Sequence, residues 1–435
     1  IMASSFLGTL YNITDMAWIG LLGSKAVAGV GVGGMFTWLS QGLASMARMG
    51  GQVKVAQSLG RGEKEKAHGF AQTAVQLSTF MGLAYAILCL IFVRQMVGFF
   101  KLNDPEAVSA ALSYTKIACG LIVFSFLTVT LTGIYTAQGD SKTPFLANLI
   151  GLVTNMILDP VLILGPGPFP KLGVTGVALG TVIARITEVL ICLIYSLRSS
   201  DVRFRIKYFF AKSGILFQDF MKIATPAVIN DVVWSLASSA FAAILGHIGD
   251  DMVAANAVAV MVVNIGAIAC RGFANATTII VSQELGKDNI ETAREYGKRM
   301  LRITMVVSLV GCVIILALRP LILDFYRDKL TETAIYYLGT FIIMTTWRLV
   351  GEGINTCLIC GCFRGGGDSR FGMIIDSLFM WLVAVPLTFL AAYILKLPPV
   401  WVYFVMTLDE FEKMPVVFIH YIRGKWLTNI TRDFD

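Results

Sequence analysis

Long apolar runs separated by short polar connections dominate this chain. A helix needs about 20 apolar residues to cross roughly 30 Å of hydrocarbon, and this rule predicts twelve segments, numbered here as spans 1 to 12. Their predicted ranges are 1–22, 27–59, 69–99, 108–138, 143–164, 173–197, 220–246, 253–285, 295–321, 331–362, 370–396 and 399–423. The pattern therefore predicts an all-α integral membrane protein with twelve transmembrane helices.

The composition also indicates a membrane setting. Hydrophobic residues make up 56% of the 435 residues, and charged residues make up only 14%. A soluble chain of this length needs more charge to cover its surface, so we expect the apolar excess to face the lipid bilayer. The formal net charge of +7 lies mainly in the connections, which is typical of membrane proteins and predicts no nucleic-acid partner.

The basic residues predict an orientation in the membrane. If both termini are cytoplasmic, the inner connections hold 20 Lys and Arg residues and the outer connections hold 8. The positive-inside rule favours that arrangement. We therefore expect a multi-pass protein of the cell membrane with both termini in the cytoplasm.

Two sequence matches recur at nearly the same separation along the chain. VAQSLGRGEKEKA matches VSQELGKDNIETA and pairs Gln57 with Gln283. AQGDSK matches RGGGDSR and pairs Asp140 with Asp368. Two independent matches at nearly one separation predict an internal duplication.

Each half then contains six spans, an even number, so both halves enter the membrane in the same direction. Parallel repeats of this kind build transporters whose substrate binds at the interface between the repeats. We predict an N-terminal six-helix lobe at 1–197, a cytoplasmic interfacial linker at 198–219 and a C-terminal six-helix lobe at 220–435. The two six-helix bundles are expected to enclose a central cleft.

Polar residues inside the first-half spans are candidates for function, because an ionisable group in the membrane is costly unless it is paired or hydrated. Asp15 lies in span 1, and Asn155 and Asp159 lie four residues apart on one face of span 5. Pro160 follows and removes a helical hydrogen bond, which frees a backbone carbonyl. Oxygen ligands of this kind suit Na⁺, or H⁺ if the acids are protonated. The alternatives are a helix-to-helix hydrogen bond for Asp15 and a purely structural polar contact for Asn155.

The second half carries acids in three of its spans. Asp231, Glu352 and Asp376 lie in spans 7, 10 and 11 and are candidates for a coupling site or a substrate site. Glu352 lies four residues after Arg348, so the two side chains are expected to pair. Because a carboxylate paired in this way has little freedom to exchange an ion, we expect the first half to bind the coupling ion. The second half is expected mainly to shape the substrate chamber.

Span 12 is interrupted by LDEFEK, which contains Asp409, Glu410 and Lys413. Asp409 and Lys413 are four residues apart and are expected to pair. Asp409 and Glu410 are candidates for the substrate cavity, either as functional groups or as part of its wall. Arg185 and Glu188 in span 6 are expected to neutralise each other in the same way as a local pair.

Most methionine and aromatic side chains at helical spacing are expected to serve packing. A minority are candidates to line a chamber for drugs, namely Met35, Phe36 and Trp38 in span 2 and Met261 in span 8. Deformable thioethers and aromatic ring faces suit varied amphiphilic cations.

The sequence shows no signal of enzymatic chemistry. His68, His247 and His420 are isolated, and CLICGC has no second cysteine pair to complete a metal site. RGGGDSR lacks the Lys-Ser/Thr of a phosphate-binding loop. We therefore expect no enzyme activity and no cofactor. Since the chain shows no ATPase module, transport is expected to be driven by an ion gradient.

Several stretches together resemble the multidrug and toxic compound extrusion (MATE) family. They are YNITDMAWIGLLG in span 1, VAQSLGRGEKEKA after span 2, GIYTAQGDSKTP after span 4, NMILDPVLILGPGPFPKLGVTGVALGT through spans 5 and 6, and FRGGGDSRF in the second half. The twelve spans and the duplication extend the resemblance over nearly the whole chain. TPAVINDVVW and IIDSLFMWLVAVPL resemble a bacterial branch of the family, of the DinF or NorM kind.

The resemblance implies both an activity and a site. Asp15, Asn155, Asp159 and a threonine of span 6 correspond to the family's cation site, with Thr181 as the better match and Thr175 as the second. The implied activity is cation-coupled antiport, driven by H⁺ or Na⁺. It would export small, cationic or amphiphilic organic compounds by alternating access, and a monomer is expected.

Two other functions are compatible with part of the pattern. A lipid-linked oligosaccharide flippase has a similar topology but needs a basic cavity for pyrophosphate, whereas the intramembrane charges predicted here are mainly acidic. A membrane receptor or scaffold that transports nothing has no need of the duplication or of paired intramembrane acids. Uptake of drug-class cations, with and without a proton uncoupler, separates the three.

Overall fold

The structure is a computed structural model that describes residues 18–19, 22–100, 104–165, 170–198, 214–327 and 330–428. Within these residues the regular elements are all helical, which confirms the predicted all-α fold. Spans 2 to 6 are Ser24–Gly60, Lys64–Phe99, Pro105–Gly120 with Val123–Ala137, Lys142–Leu164 and Val174–Arg198. Spans 7 to 9 are Gly214–Ile248, Asp250–Gly286 and Ile290–Tyr326. Apart from Trp18 and Ile19, predicted span 1 lies outside the described residues.

Spans 10 to 12 are less regular than the others. Span 10 runs through Glu332–Asn355 and continues as a π-helix over Thr356–Phe363. Span 11 alternates α-helical and π-helical turns between Ser369 and Ile394. Span 12 is divided into Pro399–Met406, Asp409–Glu412 and Met414–Arg423. Since π-helical turns inside α-helices often lie at functional sites, spans 10 and 11 are candidates for the functional part of the second half.

Most of the described helices have the length and apolar composition of a membrane span. Seven helices meet this description, and the pair Pro105–Gly120 and Val123–Ala137, which is bent by 46°, makes an eighth. Spans 2, 10 and 12 are not among them. Span 2 carries Arg48 and Lys54, and spans 10 and 12 contain the irregular segments and charged residues described above.

The chain divides into two compact units, Ala3–Ala224 and Thr225–Asp435. Residues 199–213 of the predicted linker lie outside the described residues. The helix of span 7 begins at Gly214, so the last part of the predicted linker is helical.

The duplication is visible in the backbone of two pairs of turns. Gly62 and Asp288, which lie at equivalent positions in the first pair of matched sequence stretches, both adopt left-handed conformations with φ of 81° and 58°. Gly139 and Gly367, from the second pair of stretches, do the same with φ of 82° and 83°. In all four cases the residue's N–H donates to the carbonyl three residues earlier, at 3.0–3.1 Å. The matched sequences therefore form matched turns at the ends of corresponding spans.

Small residues allow close helix packing in the first unit. Span 2 lies against span 4, where a β-carbon at Gly29 would overlap Ala107 and Ala110, and one at Gly33 would overlap Tyr114. Lipid tails supply no hydrophobic driving force between helices, so close contact through small residues is a main source of association in membranes. This packing holds spans 2 and 4 together within the first unit.

Candidate functional site

The first unit contains a buried polar pair on span 5. Asn155 and Asp159 both have 0% of their surface exposed, and Nδ2 of Asn155 donates to Oδ1 of Asp159 at 3.0 Å. The four-residue spacing places them on one helical face, as predicted. Oδ1 of Asn155 is also buried and has no hydrogen-bond partner among the described residues. The pair therefore presents oxygen atoms inside the protein.

Span 6 forms the facing wall of this pair. A β-carbon at Gly180 would overlap Oδ1 of Asp159 and would lie 3.6 Å from Nδ2 of Asn155. Only glycine leaves room for the carboxylate at this position. Thr181, the next residue, is half-buried, and its hydroxyl donates to the carbonyl of Val177 at 3.1 Å. The second threonine candidate, Thr175, is half-buried near the start of the same helix, and Asp15 lies outside the described residues.

Two basic residues of span 2 were missed in the sequence analysis. Lys54 is 4% exposed, and its ammonium lies 5.4 Å from the ring centroid of Phe70. The side chain of Arg48 packs against Gly133, where any β-carbon would overlap it. Counting every charged residue inside a predicted span, instead of the acids alone, would have identified both.

The second unit contains an extended ion-pair network centred on Arg348. Its Nε and Nη2 contact the two carboxylate oxygens of Asp409, each at 2.7 Å. Its Nη1 contacts Glu352 at 3.3 Å, and Nη2 lies 3.6 Å from Glu410. Glu352 also lies 3.5 Å from Nη2 of Arg271. A planar guanidinium that contacts both oxygens of a carboxylate forms the strongest type of protein ion pair.

Lys413 extends the network toward span 11. Its Nζ lies 2.7 Å from Oδ1 of Asp376 and 3.1 Å from Oε2 of Glu410. Nδ2 of Asn230 donates to the other oxygen of Asp376 at 3.1 Å. Nδ2 of Asn355 donates to Oε2 of Glu410 at 2.8 Å. Side chains from spans 7, 10, 11 and 12 thus meet at one polar centre inside the second unit.

A cavity of about 270 Å³ lies beside this centre. Acids and bases both line it, together with an aromatic ring; the lining includes Asp231, Trp234, Arg271, Glu352, Asp376 and Lys413. The volume is slightly below the roughly 300–1,000 Å³ of pockets for drug-sized ligands. The lining contains both negatively and positively charged residues. The sequence analysis disfavoured a flippase because the intramembrane charges were predicted to be mainly acidic, and in this unit that excess of acids is smaller than predicted.

The structure confirms two predicted ion pairs and corrects a third. Arg185 contacts both oxygens of Glu188 at 2.8 and 3.0 Å, and Arg348 contacts Glu352 as predicted. The predicted pairing of Asp409 with Lys413 is wrong. The four-residue spacing brings two side chains together only in a continuous helix, and span 12 is broken before Asp409 and again at Lys413. Asp409 therefore contacts Arg348 instead.

The predicted apolar candidates have different positions. Met35 and Trp38 are exposed at 54% and 67%, and Met261 is exposed at 54%. These exposures fit either a chamber wall or a lipid-facing position. Phe36 is half-buried, packs beside Val32 and Val97, and meets the ring of Phe100 edge-on at 5.9 Å. Phe36 therefore contributes to packing within the first unit, and its place on a chamber wall stays a prediction.

Comparison with known proteins identifies the family. The MatE family model matches residues 1–161 and matches again at residues 226–390, in agreement with the internal duplication. The probable multidrug resistance protein NorM of Thermotoga maritima is 24% identical over 435 residues, covering 98% of this chain and 90% of that protein. The probable multidrug resistance protein YoeA of Bacillus subtilis is 25% identical over 402 residues, covering 91% and 86%.

Solved structures agree with this assignment at the level of the fold. A MATE crystal structure in the bent conformation has a TM-score of 0.86, at 21% identity, and covers 98% of this chain and 94% of that chain. MATE proteins are transporters and not enzymes. With two matched halves, relatives named as multidrug resistance proteins and a shared fold, this chain belongs to the MatE family of multi-pass membrane transporters.

Proposed function

We propose that the protein is a cation-coupled antiporter of the cell membrane that exports small, cationic or amphiphilic organic compounds by alternating access. The coupling ion is H⁺ or Na⁺, the working unit is a monomer, and both termini are cytoplasmic. The single observation that carries the proposal is the fully buried Asn155–Asp159 pair of span 5. A buried carboxylate in a membrane helix is costly to keep without a function.

The surroundings of the pair support a cation site. Gly180 leaves space directly against Oδ1 of Asp159, and Oδ1 of Asn155 is buried without a hydrogen-bond partner among the described residues. Pro160 lacks the N–H that would bond to the carbonyl of Met156, which leaves that carbonyl without its usual helical partner. Carboxylate, amide and carbonyl oxygens are the ligands preferred by hard cations. Asp15 is proposed to complete the site.

The second unit supports the complementary role. Most of its intramembrane acids contact basic side chains, which neutralise most of their negative charge without an exchangeable ion. Four carboxylates and three bases contact one another in a single network, formed by Glu352, Asp376, Asp409, Glu410, Arg271, Arg348 and Lys413. We infer that the second unit mainly shapes the substrate chamber, with Asp231 and Trp234 on the wall of its cavity.

Coupling requires that the ion distinguish two conformations. A ligand that binds both states equally shifts no equilibrium, however tightly it binds. Asp159 lies between Asn155 and the side of span 6 that Gly180 leaves without a side chain. A small displacement of span 5 against span 6 would therefore change which oxygen atoms surround a bound cation. Ion binding would then favour one state of the transporter, and organic substrate would favour the other.

The experiment that tests the proposal is transport in liposomes. Purified protein is reconstituted, and uptake of a fluorescent organic cation is followed under an imposed H⁺ or Na⁺ gradient. Asp159→Asn keeps the shape of the side chain and an oxygen that can accept from Asn155, so the variant should fold. We expect its gradient-driven rate to fall about tenfold or more, the equivalent of losing about 1.4 kcal/mol of ion binding.

The matched control is Asp324→Asn. Asp324 has a side chain that is 74% exposed and contacts only the exposed Arg327 among the described ion pairs, so this variant should transport at the wild-type rate. Gradient-driven transport by Asp159→Asn at the rate of Asp324→Asn would contradict the proposed site. Uptake of the organic cation by the wild-type protein that needs no ion gradient and is not affected by an uncoupler would contradict antiport itself.

A further inference from the structure

Lys413 occupies an unusual position for a charged residue in a membrane protein. Its side chain is 5% exposed and lies between the carboxylates of Asp376 and Glu410, which are 11% and 5% exposed. We propose that Lys413 is a built-in counter-cation. Its ammonium fills an oxygen-lined site in the second unit, excludes free monovalent cations from that site, and confines exchangeable cation binding to the rest of the protein.

The geometry around Nζ is that of a bound cation. Oδ1 of Asp376 lies at 2.7 Å and Oε2 of Glu410 at 3.1 Å. An ammonium is a compact point charge with three donors, and two carboxylates this close would repel each other strongly without a cation between them. Lys413 therefore neutralises a site that would otherwise attract an ion.

The site offers more oxygen atoms than Lys413 uses. Asn230 and Asn355 are 7% and 2% exposed, and each donates its Nδ2 to one of the two carboxylates. This donation fixes the orientation of both amides, because a carboxylate can only accept. Their Oδ1 atoms are buried without a hydrogen-bond partner in the described part of the chain, and both residues line the cavity. Two unsatisfied acceptors beside two carboxylates form a ligand set for a hard cation.

Arg348, the other base that contacts Glu410, is already engaged by Asp409. Arg348 is held by two 2.7 Å contacts with Asp409 and reaches Glu410 only at 3.6 Å. Glu410 and Lys413 are three residues apart, so they share one face where the short helical turn Asp409–Glu412 lies between the two longer segments of span 12. Removing the ammonium should therefore leave Asp376 and Glu410 as an empty anionic site.

The test measures cation binding in purified protein and not transport. Lys413→Met keeps most of the apolar stem and removes the charge, and Lys413→Gln keeps a polar end that can donate to a carboxylate. Both are prepared with Asp159→Asn, so that the proposed first-unit site does not contribute. Thermal unfolding is followed in detergent with Na⁺, K⁺ or choline at constant ionic strength. A failure of the coupling proposal would therefore leave this result unaffected.

We expect the Tm of both variants to rise by a few degrees per tenfold increase in Na⁺ or K⁺ relative to choline. A ligand that binds only the folded state stabilises it in this logarithmic way. The parent with Lys413 intact should show no such rise, and adding Asp376→Asn should abolish the gain. Lys25→Met is the matched control, because Lys25 also bridges two carboxylates, Asp104 and Glu106, at 2.9 Å each but at an exposed position.

Several outcomes would overturn the proposal. One is a folded Lys413→Met or Lys413→Gln protein whose Tm is the same in Na⁺, K⁺ and choline. Another is an equal response in the parent or in Lys25→Met. Failure of both Lys413 variants to fold in buffer containing Na⁺ or K⁺ would also contradict it, because a free cation would then be unable to replace the ammonium.

Discussion

Arg348 is held chiefly by Asp409, through two contacts of 2.7 Å that use the planar edge of the guanidinium. Its contact with Glu352 is longer, at 3.3 Å. The side chain of Asp409 is only 2% exposed, so water has little access to its contact with Arg348. The two acids beside Arg348 therefore make unequal contributions to stability.

This inequality predicts different effects of two conservative substitutions. Asp409→Asn removes the carboxylate that Arg348 contacts most closely and leaves only the longer contacts with Glu352 and Glu410. This loss costs about 1–3 kcal/mol, and the Tm of the variant in detergent should fall by several degrees. Glu352→Gln leaves the Asp409 pair intact and should lower the Tm much less. Thermal unfolding of the two purified variants checks this, and an equal or larger fall for Glu352→Gln would show that Asp409 is not the main partner.

The residue-scale features differ in how far the sequence predicts them. The Asn155–Asp159 pair and the Arg348–Glu352 contact follow from helical spacing, because residues four apart share a face. Asp409 lies 61 residues from Arg348, and no local pattern encodes that contact. Asn355 likewise reaches Glu410 only through the packing of span 10 on span 12. For these two contacts the sequence indicated only that polar residues lie inside apolar spans, and it did not indicate which residues pair.

At the scale of elements, the first residues of the span 2 helix and of the span 4 helix are joined by an exposed ion-pair cluster. Lys25 lies just before the predicted start of span 2 and contacts Asp104 and Glu106 at the start of span 4. Hydrogen bonds to Glu106 and Asp104 raise the pKa of Lys25 from 10.5 to about 12. The hydrogen bond from Lys25 also lowers the pKa of Asp104 below its ordinary value of 3.8.

These shifts predict how the cluster depends on pH. The lowered pKa of Asp104 means that its contribution is present above about pH 4 and is lost as the pH falls through its folded-state value. The raised pKa of Lys25 means that its contribution persists until the pH rises toward about 12. Lys25→Met should therefore lower the Tm slightly near pH 7, with the difference from wild type shrinking at acidic pH and in high salt. A difference unchanged between pH 7 and pH 3 would contradict this.

The elements themselves are predicted well where hydropathy alone defines them. Spans 5, 6 and 8 begin and end within a few residues of their predicted limits, because each is a continuous apolar segment bounded by polar turns. The bend in span 4 and the π-helical turns of spans 10 and 11 were not predicted, whereas the break in span 12 lies at the LDEFEK interruption.

At the scale of the whole molecule, the internal duplication sets the topology. The turns after spans 2 and 8 share a left-handed residue and the same hydrogen bond. Two parallel halves of six spans require these turns to lie on one side of the membrane. The excess of basic residues predicts that this side is the cytoplasm.

Cysteine accessibility tests this topology in both halves. Glu65→Cys and Glu291→Cys lie at exposed positions just after the two matched turns, and Asp250→Cys and Glu332→Cys lie at exposed positions in the predicted outer connections. A membrane-impermeant thiol reagent should label the first two only from the cytoplasmic side and the last two only from outside. Labelling of Glu65→Cys and Glu291→Cys from opposite sides would rule out parallel repeats.

The central claim is that the first unit binds the coupling ion and the second unit shapes the substrate chamber. The most direct measurement is the release of H⁺ or Na⁺ from purified, reconstituted protein when an organic cation substrate is added. We predict that Asp159→Asn abolishes this release, whereas Asp231→Asn changes the substrate concentration required but keeps the release. Ion release that survives in Asp159→Asn and disappears in Asp231→Asn would place the coupling ion in the second unit and contradict the account.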